Sequence, residues 1–445
     1  MVNVTRTMDD KTAQASGGNA RTVPGDGAQA VGTLLPDVRV SAGWTLGGLA
    51  AGLALGLLMS RYGGANAALL QVIGALGSLW LKGLKMTIIP LVSALLVVGI
   101  IRTVAAAEAG AMARRTLGWF FTVLACGTVL AAILTPILLK ALPIPEAAVR
   151  ALRGGLAGQE APPVPGMAEF FQSLVPSNVL AAASSDAILP VILFFALFAV
   201  AVTRLPAIQR QAMTTLFEAL AGAMMVIIGW VLWLAPVGVF GLAFAVAAES
   251  GAAAIGALAH YIALVAFIGL VVMLGGYGLA VLGGRQKLGV FARAMLPAQA
   301  VAISTQSSLA SVPAMLAVCR RLGLKDSSGE FVLPLAVALF RATGPAMNLA
   351  VAIYVAQLSG VELTLPVMVT GVLVALLTTL GAPSLPGAIS FVSSIGPIAL
   401  AMGVPVGPLA LLVAVEVLPD IMRTLGNVTL DVAVTATVDR HNTAD

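Results

Sequence analysis

The chain reads as an all-α polytopic membrane protein, with about eight transmembrane helices and shorter elements that need not cross the bilayer. Three observations lead there. Of 445 residues, 59% are hydrophobic and only 10% charged, far below the roughly 25% charged residues of soluble domains. The apolar residues fall in runs of roughly 20, the length that crosses a hydrocarbon core. Two runs in the second half are interrupted at their middles by small, polar and proline residues, and unwound backbone is tolerated at membrane depth where it lines a cavity.

Taken in order, residues 1–38 are polar, lack the apolar core of a secretory signal and read as a flexible cytoplasmic tail. Arg6, Lys11, Arg21 and Arg39 precede a first span at 40–59. Their excess places the N-terminus inside, in a multi-pass protein of the cytoplasmic (inner) membrane. Apolar runs at 67–81 and 86–101 flank Lys82 and Lys85, which read as a return to the cytoplasmic surface. A run at 117–142 gives way to a segment at 143–166 rich in Pro and Gly, which reads as an exposed loop. Further spans are expected at 188–202, 216–247 and 261–282. The clusters Arg204/Arg210, Arg285/Lys287/Arg293 and Arg320/Arg321/Lys325 fall on the cytoplasmic side of this topology.

The broken segments follow. Segment 298–317 carries Ser304-Thr305-Gln306-Ser307-Ser308-Leu309-Ala310-Ser311-Val312-Pro313, and 377–394 carries Thr378-Thr379-Leu380-Gly381-Ala382-Pro383-Ser384-Leu385-Pro386-Gly387. An apolar helix at 331–357 separates them, and a last one runs over 405–435. On that last helix Glu416, Asp420, Arg423, Thr424, Asn427 and Asp431 share a sector of roughly 100°. Intramembrane charges are costly and mark where something charged is handled.

Several functions are excluded. The formal net charge of +5 is spread among loops and gives no nucleic-acid footprint. Cys126, Cys319, His260 and His441 stand apart, with no metal spacing and no serine-histidine-acid pattern. The chain therefore reads as neither an enzyme nor the holder of a cofactor.

The order of broken segment, apolar helix, broken segment and polar-faced helix resembles the dicarboxylate/amino acid:cation symporter family, which includes the glutamate transporters. Val175-Pro176-Ser177-Asn178, Leu189-Pro190-Val191-Ile192-Leu193-Phe194-Phe195 and Ala235-Pro236-Val237-Gly238-Val239-Phe240 add local likeness. The most specific element, Asp420-Ile421-Met422-Arg423-Thr424-Leu425-Gly426-Asn427-Val428-Thr429-Leu430-Asp431, is similar to the family's last-helix signature. The resemblance implies glutamate-transporter-like inverted repeats, two re-entrant hairpins formed by the broken segments and centred near Ser307 and Pro386, and a homotrimer. It also implies mainly scaffold helices over 39–252, a mainly transporting domain over 253–440, and an elevator-type motion. By position, Arg423 would hold a distal carboxylate and Asp420 an α-amino group. Thr424, Asn427, Ser307, Ser308 and the tip Gly381, Pro386 and Gly387 would complete the substrate site.

Chemistry supports these roles. A guanidinium offers a planar fork that matches a carboxylate, and Asp420 accepts from an ammonium group, which favours an acidic amino acid over a plain dicarboxylate. Glu416, seven residues before Arg423, would orient the guanidinium or exchange a proton.

The chain departs from the family where coupling ions bind. Counted without gaps, the family's Asn-Met-Asp-Gly falls on Phe340-Arg341-Ala342-Thr343, and Gly344 replaces a substrate-contacting threonine. Phe340 and Ala342 offer no side-chain oxygen to a hard cation, which leaves Asn427 and Asp431 as remaining ligands for Na⁺. Arg341 puts a fixed positive charge where relatives bind cations; it either partly replaces bound sodium, pairing with Asp431, Glu416 or the substrate, or snorkels to a surface or forms a structural pair. The expected coupling cation is then H⁺, through Glu416 or Asp420, or fewer Na⁺ than in relatives. The alternatives are an anion-conducting channel, which would line a pore with rings of charge or carbonyls, and a substrate-sensing receptor. A substrate gradient built at fixed stoichiometry separates a carrier from both.

Overall fold

The computed structural model describes residues 42–62, 67–146, 149, 172, 175–185, 187–250, 253–381 and 387–442. Among these, every regular element is helical. Seven helical stretches are long and apolar enough to cross a membrane, and one of them, Leu288–Thr305, is a limb of the first broken segment.

The first helix, α1 (Ala42–Tyr62), lies against α7 (Ala235–Ser250). Gly48, Gly52 and Gly56 repeat every fourth residue on the contacting face. A Cβ at each would sit 2.3, 2.6 and 2.6 Å from the backbone oxygens of Pro236, Phe240 and Phe244. Small residues at this spacing let two backbones close where lipid offers no hydrophobic drive between helices.

The runs 67–81 and 86–101 are one helix, α2 (Ala67–Glu108), of 42 residues. This corrects the reading of Lys82 and Lys85 as a surface break: lysine is a good helix former and its charge does not interrupt the backbone hydrogen bonds. It is one reason the described helices do not divide into eight separate spans. The next helix, α3 (Ala111–Ala141), is followed by α4 (Val179–Ser184). Asn178 caps α4 by accepting from the backbone N–H groups of Leu180 and Ala181 at 2.9 and 3.2 Å.

The expected spans 188–202 and 261–282 appear as α5 (Ile188–Thr203) and α8 (Ala253–Leu282). The run 216–247 is two helices, α6 (Ala207–Trp233) and α7, parted at Leu234. Pro236 lacks the N–H that would bond back to Leu232, so the ladder is interrupted there.

In the second half, α9 (Leu288–Thr305) and α10 (Val312–Arg321) pack on each other and are joined by a tip at 306–311. Gln306 closes α9 in the left-handed conformation at φ 49°. The helix expected over 331–357 is likewise broken, into α11 (Asp326–Leu339) and α12 (Gly344–Ser359). Pro345, near the start of α12, has no N–H to bond the Arg341 carbonyl, and Arg341 itself adopts φ 34°.

The second broken segment gives α13 (Leu365–Gly381) and α14 (Gly387–Ala401), which pack on each other. Its tip, 382–386, lies outside the described residues. The last stretch is α15 (Gly407–Leu412), a 3₁₀ turn over Val413–Val415, and α16 (Val417–Asn442). Glu416 therefore stands in the turn before α16, although the Asp420 N–H still reaches its carbonyl at 2.9 Å. The main neighbour of α16 is α8, and α9, α10, α11 and α3 also pack on it.

Candidate functional site

The first turns of α16, the α9–α10 tip and the α11–α12 break enclose a cavity of about 180 Å³. From α16 it is lined by Asp420, Arg423, Thr424, Asn427 and Asp431, from the tip by Thr305, Gln306, Ser307 and Ser308, and from the break by Arg341, Ala336 and Val337. The volume falls below the ~300–1,000 Å³ of pockets for drug-sized ligands and suits a small metabolite.

Arg423 is 2% exposed. Its Nη1 donates to Glu416 Oε1 and, at 2.8 Å, to Asp420 Oδ1, and its Nη2 lies 3.4 Å from Asn348 Oδ1. A buried charge needs such partners, because an unpaired one carries the full cost of desolvation. Arg423 Nε has no partner. An unsatisfied buried donor on a charged group costs more than a neutral one, and an entering acceptor would remove that cost.

Glu416, 1% exposed, sits behind Arg423 and does not line the cavity. It also accepts from the Tyr261 hydroxyl of α8 at 3.0 Å. Its visible work is to hold the guanidinium, one of the two roles its spacing suggested.

Asn427 and Thr343 tie the break to α16. Asn427 Oδ1 accepts from the Thr343 N–H at 2.9 Å and from its hydroxyl at 2.8 Å, and the same hydroxyl lies 2.9 Å from the Arg423 carbonyl. With Oδ1 engaged, the NH₂ of Asn427 is what it retains for a ligand. Gly426 permits the approach: a Cβ there would lie 2.3 Å from Thr343 Cγ2. Thr424 donates back to the Asp420 carbonyl at 3.0 Å.

Asp431 is 1% exposed, lines the cavity, and its Oδ1 has no hydrogen-bond partner. An orphaned buried acceptor of this kind is satisfied by a bound cation or a proton. Arg341 also lines the cavity, and the charges acting on it are those of Arg423 and Asp420. Of the second tip, Gly381 ends α13 and Gly387 begins α14, while Pro386 lies outside the described residues.

Three contributors escaped the sequence reading. Thr343 was counted only as the replacement of a family glycine. Asn348 lies in an otherwise apolar helix. Tyr261 carried a signal, since a buried tyrosine at the start of the apolar run 261–282 needs a partner for its hydroxyl.

The profile of the Sodium:dicarboxylate symporter family matches residues 42–441. The chain belongs to this family. Among relatives, the "Proton/glutamate-aspartate symporter" of Escherichia coli (strain K12) is 26% identical over 362 residues, covering 79% of this chain and 81% of the relative. The "Proton/sodium-glutamate symport protein" of Bacillus subtilis (strain 168) is 26% identical over 387 residues, covering 85% and 88%. The "C4-dicarboxylate transport protein" of Laribacter hongkongensis (strain HLHK9) is 26% identical over 337 residues, covering 74% and 75%.

As a member of the sodium:dicarboxylate symporter family the chain is a multi-pass membrane transporter and not an enzyme. Phe340 is the residue that ungapped comparison set against a sodium ligand implied by the resemblance. It is fully buried and stacks on Phe120 of α3 with ring centroids 4.3 Å apart and planes 10° from parallel. An aromatic pair thus stands where a coordinating amide was expected.

Proposed function

We propose that the chain is a secondary active symporter importing a small carboxylated anion, an acidic amino acid (aspartate or glutamate) or a C4-dicarboxylate, across the cytoplasmic membrane. The observation that carries this is the buried Arg423, which lines a cavity of about 180 Å³ and is clamped by Glu416 and Asp420, its Nε unpartnered among the described residues. A guanidinium held in this way is pre-organised for a carboxylate, so little ordering is left for the ligand to drive.

Coupling follows from charge. Three carboxylates, Glu416, Asp420 and Asp431, surround the site against two guanidiniums, Arg341 and Arg423, so an entering anion needs a cation with it. Arg341 supplies part of that charge permanently, in place of a bound ion. The rest enters as H⁺ at Glu416 or Asp420, or as Na⁺ at Asp431 and Asn427. With Phe340 and Ala342 lacking side-chain oxygens, fewer sodium ions are coupled than in relatives.

In this reading the α9–α10 and α13–α14 pairs are re-entrant hairpins whose tips enclose the substrate, and eight spans surround them. In the same reading the chain assembles as a homotrimer with its N-termini in the cytoplasm. Helices of 253–440 carry the substrate in an elevator-like motion against a scaffold drawn from 39–252. Helix α3 packs on α12, α13 and α16 and would move with the carrying set.

Uptake of labelled aspartate and succinate into proteoliposomes, with Na⁺ and pH gradients imposed separately, tests the proposal. Concentrative uptake of at least one of them under a cation gradient is expected. Entry of neither, or passage that only equilibrates whatever gradient is applied, contradicts it.

A further inference from the structure

We infer that Arg341 is a second carboxylate clamp, facing Arg423 across the cavity, and that the site accordingly prefers an unsubstituted short dicarboxylic acid to an amino acid. The inference rests on the carrier reading and narrows its substrate. Arg341 lines the same cavity as Arg423 and the Ser307–Ser308 tip. It is placed there by backbone that a non-glycine residue rarely adopts, φ 34°. Such a conformation persists only where the surroundings impose it, and it recurs at ligand clamps. The fixing element is Thr343, bonded two residues on to Asn427 and Arg423.

The charges around the cavity then select the ligand. Asp420 is the carboxylate that sequence alone offered to an α-ammonium group. Here it already accepts from Arg423 Nη1 at 2.8 Å and lies in the field of Arg341 as well. An ammonium entering beside it would meet two guanidiniums. Asp431 has an open acceptor but stands eight residues along α16 from Arg423, about 12 Å of axial rise. The Arg423 side chain reaches the other way, toward Glu416. The second carboxylate, common to both acids, meets the second planar fork, whereas the ammonium of a four-carbon amino acid held by Arg423 cannot reach Asp431 and is left beside the guanidiniums.

The test uses purified protein and labelled succinate and aspartate, with Arg341→Gly as the main variant. Glycine adopts positive φ without cost, so this change removes the guanidinium while leaving the backbone arrangement favoured. Arg341→Lys, which keeps the charge but not the fork, serves as a second variant. We expect the unsubstituted protein to bind succinate at least tenfold more tightly than aspartate. Arg341→Gly should weaken succinate at least tenfold and weaken aspartate at least threefold less than it weakens succinate, because aspartate loses the same fork but its ammonium also loses a like charge, with Arg341→Lys between. Tighter binding of aspartate by the original protein, or equal effects of Arg341→Gly on both ligands, overturns this inference and leaves the carrier reading standing. Binding of neither ligand overturns both.

Discussion

Replacing Gly426 by alanine tests whether the α11–α12 break is held to α16 in the way described. The added Cβ would lie 2.3 Å from Thr343 Cγ2, whereas carbon atoms in contact need about 3.5 Å, so the two segments must part by more than about 1 Å. Thr343 donates its N–H to Asn427 Oδ1 at 2.9 Å, and its hydroxyl, with one proton to give, lies 2.8 Å from that atom and 2.9 Å from the Arg423 carbonyl. Overpacking costs ~1–3 kcal/mol, and each net hydrogen bond lost adds ~1 kcal/mol, for a total of about 2–4 kcal/mol. Every ~1.4 kcal/mol of this that falls on the liganded arrangement is a factor of ten in affinity, so ligand binding should weaken at least tenfold. Thr343→Ala alone removes the hydroxyl bonds and should cost ~1 kcal/mol. It also removes the clashing methyl, and the next atom near the new Cβ is Met273 Cβ at 3.6 Å, an ordinary contact. The double variant should therefore resemble Thr343→Ala, a strong departure from additivity. Labelled-ligand binding and thermal midpoints of the four proteins in detergent provide the measurement. If Gly426→Ala costs as much in the Thr343→Ala background as in the original protein, the placement of the break is wrong.

Other outcomes follow from the same contacts. Gly52→Leu places a side chain where even a Cβ would be 2.6 Å from the Phe240 carbonyl; it should separate α1 from α7 and lower the thermal midpoint of the protein. Tyr261→Phe takes one donor from the buried Glu416 carboxylate and should cost ~1.5–3 kcal/mol of stability, read by denaturation of the purified protein. Asp431→Asn should leave substrate binding within a few fold but make uptake insensitive to at least one imposed cation gradient. Unchanged responses to both pH and Na⁺ gradients would remove Asp431 from coupling.

Much of the architecture was legible because it follows from hydropathy and proline placement. The interruption at 304–313 became a helix–tip–helix unit, with Gln306 and Pro313 at its corners. The polar sector of the last helix gathered Asp420, Arg423, Thr424, Asn427 and Asp431 on one cavity, because spacing on a helix fixes direction. What escaped were features that depend on contacts between distant segments. Lys82 and Lys85 looked like a span boundary, yet nothing in a lysine breaks a helix. Periodicity carried no sign that 331–357 would open at Arg341, since the decisive bonds run from Thr343 to Asn427, 84 positions away. Asn348 and Tyr261 became part of the Arg423 network only when α12 and α8 were packed against α16. The same holds for the stacking of Phe340 on Phe120, which joins α3 to the α11–α12 break.

The claim on which the account turns is that Arg423 receives a substrate carboxylate inside the membrane. Equilibrium binding of labelled succinate and aspartate to purified protein, compared with Arg423→Gln at matched thermal stability, tests it most directly. Saturable binding of at least one of them, lost by about a hundredfold or more in the variant, is the predicted result. Binding that survives the loss of the guanidinium unchanged, or no binding of either acid to the original protein, would contradict it.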